Sequence, residues 1–217
     1  MRKYLKIMLA GYMRRYSLLT GLILFSFVAF AEPPNTQWEV VTNSTLTITE
    51  VVAEGATPWK FTLPKAGGSI TRTQTGTSTK LNFRTLVPHL PEGCKITNSG
   101  SQFRNIDTIE ELYWPDTITY ISANGFYDSN NLKICDFPEG TKLTSVGMQA
   151  FLNTKLTRFR MFDTITDVGE NAFTSLPNLI FEGPMLPKAM KSVYGKDFVL
   201  GTGAAPLPDR LPLPDPE

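Results

Sequence analysis

One phrase recurs with a nearly fixed period in the middle of this chain. The segment Pro-Glu-Gly-Cys-Lys-Ile-Thr at 91–97 returns as Pro-Glu-Gly-Thr-Lys-Leu-Thr at 138–144, and shorter versions begin at Pro115 and Phe162. The four starts are 24, 23 and 24 residues apart. A period in the twenties is typical of solenoids, in which each repeat buries its apolar face only by stacking on its neighbours. We therefore predict a strand-dominated solenoid with a parallel β ladder and little helix.

Each repeat carries an apolar strand just before the start and a phenylalanine after it. Residues two apart on a strand point to the same side, so alternate strand residues are predicted to face the core. The predicted core side chains are Trp114, Phe137 and Met161 on the strands, and Phe126, Phe151 and Phe173, which are expected to stack as an aromatic ladder.

The strand residue between two inward side chains is predicted to point outward. This rule gives an exposed column of Tyr113, Asp136 and Arg160, to which alignment of the first repeat adds His89. Tyr and Arg are enriched among the residues that anchor protein interfaces, so this column is the predicted binding site. An ordinary polar strand face is the other interpretation of the same pattern.

The N-terminus is typical of a secretory signal peptide. Basic residues up to Arg15 precede the apolar run 18–30, and Ala29-Phe30-Ala31 matches an A-x-A cleavage site. The run of 13 residues is shorter than the roughly 20 that a membrane-spanning helix needs. We expect cleavage before Glu32, a secreted, periplasmic or cell-surface location, and no stable membrane span after cleavage.

The charge of the predicted mature chain argues against a nucleic-acid partner. The whole chain has 21 Lys and Arg against 20 Asp and Glu, and residues 1–31 contain five of the basic residues and no acidic one. Subtraction leaves 16 basic against 20 acidic residues, a net charge of −4. Nucleic-acid binding needs a clustered basic face instead.

The residue types needed for catalysis or metal binding are scarce. His89 is the only histidine, so neither a Ser-His-Asp arrangement nor a His and Cys metal site can be assembled from the pattern. Cys94 and Cys135 lie almost two repeats apart, which exceeds the roughly 7 Å Cα limit for a disulfide. A carboxylate pair for glycoside hydrolysis stays open, because nothing in the spacing selects two carboxylates. We expect no enzyme, metal, cofactor or disulfide.

The phrase Pro-Glu-Gly-Thr-Lys-Leu-Thr-Ser-Val-Gly-Met-Gln-Ala-Phe at 138–151 resembles the BspA-type leucine-rich repeat, whose pattern is I-P-x-x-V-T-x-I-G-x-x-A-F. Residues 162–173 resemble it nearly as well, although Phe162 stands in place of the proline. Residues from Thr45 to Trp59 look like the lead-in that precedes such repeats. The resemblance implies a right-handed solenoid of the α/β horseshoe class outside the cell or in the periplasm, with roles in adhesion and in binding matrix or host proteins.

The flanking composition completes the predicted organisation. Short segments that alternate apolar and polar residues before the repeats predict β-strands, and five prolines in the last 14 residues predict an extended or disordered tail. The predicted segments are a signal peptide at 1–31, an N-terminal β lead-in or cap at 32–80, leucine-rich repeats at 81–182, a C-terminal cap at 183–203 and a Pro-rich disordered tail at 204–217.

Two functions are compatible with these observations. We expect an exported, non-catalytic module that binds a protein or a glycan through the outward strand face, with adhesion as its role. The alternative is a structural module of a cell-surface assembly that has no ligand of its own. A binding module should carry aromatic and Arg residues on the outward column, whereas a structural module should leave a strand edge or an apolar end open to a neighbour.

Overall fold

Short strands make up nearly all the regular structure of the protein. The computed structural model describes residues 35–182, so the predicted signal peptide, C-terminal cap and Pro-rich tail lie outside the described residues. Within that range the only helix is a 3₁₀ helix, Phe83–His89. The strands, in chain order, are β1 (Trp38–Thr42), β2 (Leu46–Glu50), β3 (Lys60–Leu63), β4 (Gly68–Ser69), β5 (Thr71–Gln74), β6 (Lys80–Asn82), β7 (Ile96–Asn98), β8 (Glu111–Tyr113), β9 (Tyr120–Ile121), β10 (Ile134–Asp136), β11 (Ser145–Val146), β12 (Arg158–Arg160), β13 (Asp167–Val168) and β14 (Ile180–Glu182).

The N-terminal part is a four-stranded antiparallel sheet in the order β1-β2-β3-β5. Its first hairpin pairs Trp38 with Glu50 through to Thr42 with Leu46, without a break in register. Alternation places Leu46 and Ile48 in the core and leaves Thr47 and Thr49 on the outer face. The Asn43 side chain closes the turn by accepting a hydrogen bond from the backbone N–H of Thr45 at 3.0 Å.

The repeats place strands in two parallel ladders. The first ladder contains β6, β8 and β10 in register and continues with the pair β12 and β14. The second ladder runs without interruption through β4, β7, β9, β11 and β13. It is reinforced by threonine hydroxyls, because Thr119 donates to the carbonyl of Thr97 at 2.9 Å and Thr144 donates to that of Thr119 at 3.0 Å.

The predicted fold is confirmed in part. The described chain is strand-dominated and has little helix, as the repeat pattern predicts. The parallel ladder is only partial, because β10 and β12 are not paired in one sheet, and the structure shows no closed solenoid. The break lies beside Phe162, the residue that stands in place of the repeat's proline. The Phe162 ring packs edge-on against Phe137, with 6.2 Å between the centroids. The second ladder was not predicted.

A stack of phenylalanine rings forms the centre of the core. Centroid distances are 5.4 Å between Phe103 and Phe126, 5.1 Å between Phe126 and Phe151, and 5.4 Å between Phe151 and Phe173. The structure thus places the three predicted phenylalanines in one stack and adds Phe103 at its N-terminal end. The predicted strand residues of the core are also buried: Trp114, Phe137 and Met161 are at most 4% exposed.

Each repeat turns through residues in the left-handed conformation. Asn124, Gln149 and Asn171 occupy one such position in successive repeats, with φ of 55°, 53° and 56°. Asp128 and Asn153 occupy a second position, with φ of 56° and 59°. Asn and Asp tolerate this conformation better than most residues because their side chains bond locally, which explains why they recur at the corners.

Glycine is required where one repeat lies directly on the backbone of the next. A Cβ added at Gly147 would lie 2.3 Å from the backbone N of Ala123. Its φ is not positive, so the requirement comes from close approach rather than from backbone conformation.

We expect Gly147→Ala to lower the free energy of unfolding by about 1–3 kcal/mol, because the added methyl overpacks a rigid backbone contact. Gly140→Ala is the control, since nothing lies within 4 Å of its Cβ position although its φ is +78°. That control should lose only about 1 kcal/mol, from backbone strain. Urea unfolding of both variants measures the difference, and equal losses would contradict the packing explanation.

The antiparallel sheet buries one carboxyl group. Glu50 is 5% exposed, and its side chain accepts the backbone N–H of Trp59 at 3.3 Å. Burial raises the pKa of Glu50, and the hydrogen bonds from Trp59 and Ser78 oppose that shift. The folded state therefore holds this proton more tightly than the unfolded chain does. Stability from this group increases as pH falls through the folded-state pKa and is lost as pH rises above it.

Glu50→Gln is expected to raise the melting temperature at neutral pH, because the amide keeps an acceptor for Trp59 without burying a charge. The gain should shrink as pH falls through the folded-state pKa, since wild-type Glu50 is then protonated. Thermal melts across pH check this, with the exposed Glu54→Gln as control. A gain that does not vary with pH would contradict it.

Candidate ligand-binding face

The outward residues of the first ladder lie on both sides of the break between β10 and β12, and together we call them the strand face. The middle residue of each strand is buried, so the residues on either side of it point away from the core. The strand face consists of Lys80 on β6, Glu111 and Tyr113 on β8, Ile134 and Asp136 on β10, Arg158 and Arg160 on β12, and Ile180 and Glu182 on β14. Asn82, the other flanking residue of β6, is buried.

The structure brings two of the predicted binding residues side by side. Tyr113 and Asp136 are register partners on β8 and β10. Arg160 lies beyond the break in the ladder, in register with Glu182 on β14. Tyr113 and Asp136 are half-buried and Arg160 is exposed, so all three belong to the strand face.

His89 does not belong to the strand face, contrary to the alignment of the first repeat. The residue in register with Tyr113 is Asn82, and His89 is the exposed last residue of the 3₁₀ helix. The alignment fails because the first repeat inserts this helix after its strand, where Asn82 caps it by accepting the N–H of Arg84. His89 lines a shallow groove with Trp38, Pro88 and other neighbours instead.

The 3₁₀ helix contributes a residue that the sequence analysis missed. The Nε of Arg84 donates to the carbonyl of Trp114 at 2.9 Å, and one Nη forms an ion pair with Asp136 at 2.5 Å. Its guanidinium also lies over the Tyr113 ring, 5.6 Å from the centroid. Arg84 therefore fixes both predicted residues from a neighbouring element, and no spacing in the repeat pattern points to it.

Tyr113 is held in place on its other side as well. Its hydroxyl donates to a Glu111 carboxylate oxygen at 2.7 Å. Burial raises the pKa of Tyr113, and the hydrogen bond and the charge of Glu111 raise it further. The phenol is therefore protonated at physiological pH and its proton is already engaged.

Charges on and beside the strand face pair across repeats. In residues 35–182, five ion pairs join positions 21 to 52 residues apart in sequence: Lys80 with Glu111, Arg84 with Asp136, Lys133 with Glu110, Arg158 with Glu182, and Arg160 with Glu139. Exposed pairs of this kind each contribute only about 0–1 kcal/mol. Their main effect is to make the strand face locally neutral and to order its long side chains.

Two aliphatic side chains interrupt this charged surface. Ile134 is 38% exposed and Ile180 is 46% exposed, and Arg158 lies on the intervening strand of the first ladder. Arg158 and Ile180 are register partners, and apolar area and Arg side chains are both typical of protein interfaces. These isoleucines were not predicted as site residues, because the rule based on Tyr113 selected only one of the two outward positions of each strand.

The remaining candidate groups are metal ligands and the two cysteine thiols. Across 35–182, no group of three or more His, Cys, Asp or Glu side chains could hold a metal ion. Both cysteines are free. Cys135 is buried, and burial raises its pKa, while the Cys94 thiol donates to the carbonyl of Lys65 at 2.6 Å. In the same range, no helix has the length and apolar character needed to cross a membrane.

Comparison with protein families identifies the repeats. Residues 89–182 match the BspA type Leucine rich repeat region in six copies. This part of the chain is a BspA-type leucine-rich repeat region. The resemblance seen in the phrases at 138–151 and 162–173 is therefore confirmed, while the lead-in before His89 lies outside the match. No curated protein matches the sequence.

Solved structures with similarity to the BspA-type repeats include two proteins. The pneumococcal vaccine antigen PcpA has 16% sequence identity and a TM-score of 0.42, over 67% of this chain and 38% of that chain. A leucine rich cell surface protein from Faecalibacterium prausnitzii A2-165 has 16% identity and a TM-score of 0.26, over 68% of this chain and 58% of that chain. The chain thus spans less than two thirds of either protein.

Arg84→Ala is expected to lower the free energy of unfolding by about 2 kcal/mol, because it removes a partly buried charge-assisted hydrogen bond and the ion pair with Asp136. Arg84→Lys should not restore it, since lysine cannot bond Trp114 and Asp136 with one planar fork. The control is Arg104→Ala, because Arg104 is exposed and lies over the Tyr127 ring. It should lose less than about 1 kcal/mol. Urea unfolding decides, and equal losses would contradict the positioning role of Arg84.

Proposed function

We propose that this chain is an exported, non-catalytic binding module that recognises a protein through the strand face of its BspA-type leucine-rich repeats, with adhesion as the biological role. The repeats are proposed to continue as a right-handed solenoid within the segments predicted from the sequence. Export and a surface or periplasmic location rest on the predicted signal peptide at 1–31.

The observation that carries this proposal is the preordering of Tyr113. Arg84 covers one side of the ring, Glu111 accepts the hydroxyl proton, and Asp136 holds Arg84 in turn. Ordering flexible side chains costs about 0.5–1.5 kcal/mol each on binding. Side chains that are already fixed in the free protein avoid that cost, which is what a recognition surface requires.

The chemistry of the strand face favours a protein over a glycan. Sugar binding commonly uses an aromatic face open to the ligand, but Arg84 already occupies one face of Tyr113. The exposed Ile134 and Ile180 supply aliphatic area on either side of Arg158. Aliphatic area ringed by paired charges suits a protein surface, where polar rims surround an apolar centre.

The test is binding of the full chain, purified after the host's own N-terminal processing, to arrays of matrix proteins and glycans. A protein ligand should bind wild type, and the double variant Tyr113→Ala/Arg160→Ala should weaken binding by about tenfold or more, as expected for interface anchors. The matched control is Tyr127→Ala/Arg104→Ala, which removes the same residue types and a cation–π contact of 4.9 Å elsewhere.

The comparison is valid only where the melting temperatures of the two double variants agree. Equal loss of binding in both would show that the strand face is not the site. Binding to glycans alone would show that the ligand is a carbohydrate and not a protein. Ile134→Asp, compared with Met148→Asp at a similarly exposed position, tests the aliphatic contribution separately.

A second candidate function is the structural module of a surface assembly. The observation that favours it is an open strand edge on the N-terminal sheet, which the described part of the chain leaves uncovered. A structural module needs such an edge to join a neighbour.

A further inference from the structure

The outer edge of β1 presents backbone groups that have no partner among residues 35–182. Val51 donates its N–H to the carbonyl of Gln37, and Asn43 donates to the carbonyl of Thr45. The backbone N–H and C=O groups of the odd-numbered residues of β1 therefore point towards β2, because residue pairs in an antiparallel sheet alternate between hydrogen-bonded and non-hydrogen-bonded pairs. The N–H and C=O groups of Val40 and Thr42 consequently point away from the sheet, where the described chain provides no hydrogen bond.

The two edges of this sheet differ in how well they are protected from pairing with another strand. On the opposite edge, β5 has a register shift against β3, and the Gln102 side chain accepts the N–H of Arg72 at 2.9 Å. Bulges and side-chain covers are the usual devices that prevent an edge from pairing. By contrast, β1 pairs with β2 in continuous register and contains no Pro or Lys. Its outer edge is flat and able to accept another strand.

We propose that β1 is a self-association site, at which two copies of this chain pair their β1 strands antiparallel about a two-fold axis at Val41. Val40 of one copy then exchanges both backbone hydrogen bonds with Thr42 of the second copy, and the symmetric pair does the same. The four unpartnered edge groups of each copy are thereby satisfied.

Side chains distinguish this register from its neighbours. Glu39, Val41 and Asn43 share the outer face, and Val41 is 45% exposed. With the axis at Val41, the two Val41 side chains meet in a non-hydrogen-bonded pair, where cross-strand side chains are closest. Glu39 faces Asn43 of the second copy, whose amide group can donate to the carboxylate. Moving the axis to Glu39 would instead oppose two carboxylates, which is unfavourable.

This pairing goes beyond the proposed ligand recognition and does not depend on it. The four strands of each copy join into one sheet of eight. Each pair carries two strand faces, which would add avidity to the proposed ligand recognition where both faces reach one immobilised ligand.

Site-specific cross-linking tests the pairing and its register in the full chain carrying Cys94→Ser, which leaves Cys135 buried. Residues opposed in a non-hydrogen-bonded pair have Cα atoms about 4.5 Å apart, within the range for a disulfide. Val41→Cys should therefore form a covalent dimer under mild oxidation, about tenfold or more faster than Glu39→Cys, whose copies lie roughly 13 Å apart along the strands. Glu39→Cys/Asn43→Cys should cross-link as fast as Val41→Cys.

Sedimentation equilibrium of the unmodified chain supplies the second measurement. Wild type should sediment as a concentration-dependent dimer, and Thr42→Pro should sediment as a monomer because it removes only an outward N–H. Val41→Lys should also be monomeric, whereas Val51→Lys, at a similarly exposed valine that directly follows β2, should remain dimeric. A wild-type monomer, or equal cross-linking of Val41→Cys and Glu39→Cys, would overturn the proposal.

Discussion

The stacking of phenylalanine rings is the interaction on which the remainder of the repeat region depends. Phe103, Phe126, Phe151 and Phe173 keep centroid spacings of 5.1–5.4 Å, close to the distance between neighbouring strands in a sheet. One spacing therefore satisfies the rings in the core and the backbone hydrogen bonds of the ladders at the same time. The same close spacing explains why Gly147 must lack a side chain.

The repeat core and the strand face have different roles in the structure. Buried rings and aliphatic residues set the distance between repeats, while ion pairs between repeats order the long side chains outside. Because its charges are paired with one another, the strand face has little net charge. Its exposed aliphatic side chains are Ile134 and Ile180.

Features that recur in every repeat could be predicted from the sequence better than features that occur only once. Alternation within each strand was sufficient to identify the outward positions of Tyr113, Asp136 and Arg160, because period two is a local property of the backbone. His89 was misplaced because the first repeat inserts a 3₁₀ helix, a departure that one example cannot reveal. Arg84 could not be found at all, since its contacts with Trp114 and Asp136 span 30 and 52 residues and depend on how that helix folds back. The second ladder was missed because its two-residue strands are too short to show a pattern.

The interruption between β10 and β12 gives the repeat region an uneven stiffness. On one side the second ladder passes this point through β9, β11 and β13, with threonine hydroxyls adding hydrogen bonds. On the other side β10 and β12 are not joined in a sheet, and the repeats are connected by the contact of Phe162 with Phe137 and by backbone hydrogen bonds from Lys155 and Thr157 to the segment before β10. An interrupted row of backbone hydrogen bonds yields more readily than a continuous ladder when repeats are pulled apart. A tensile load on the repeat region should therefore separate the repeats at Phe162 first, while the second ladder acts as the hinge.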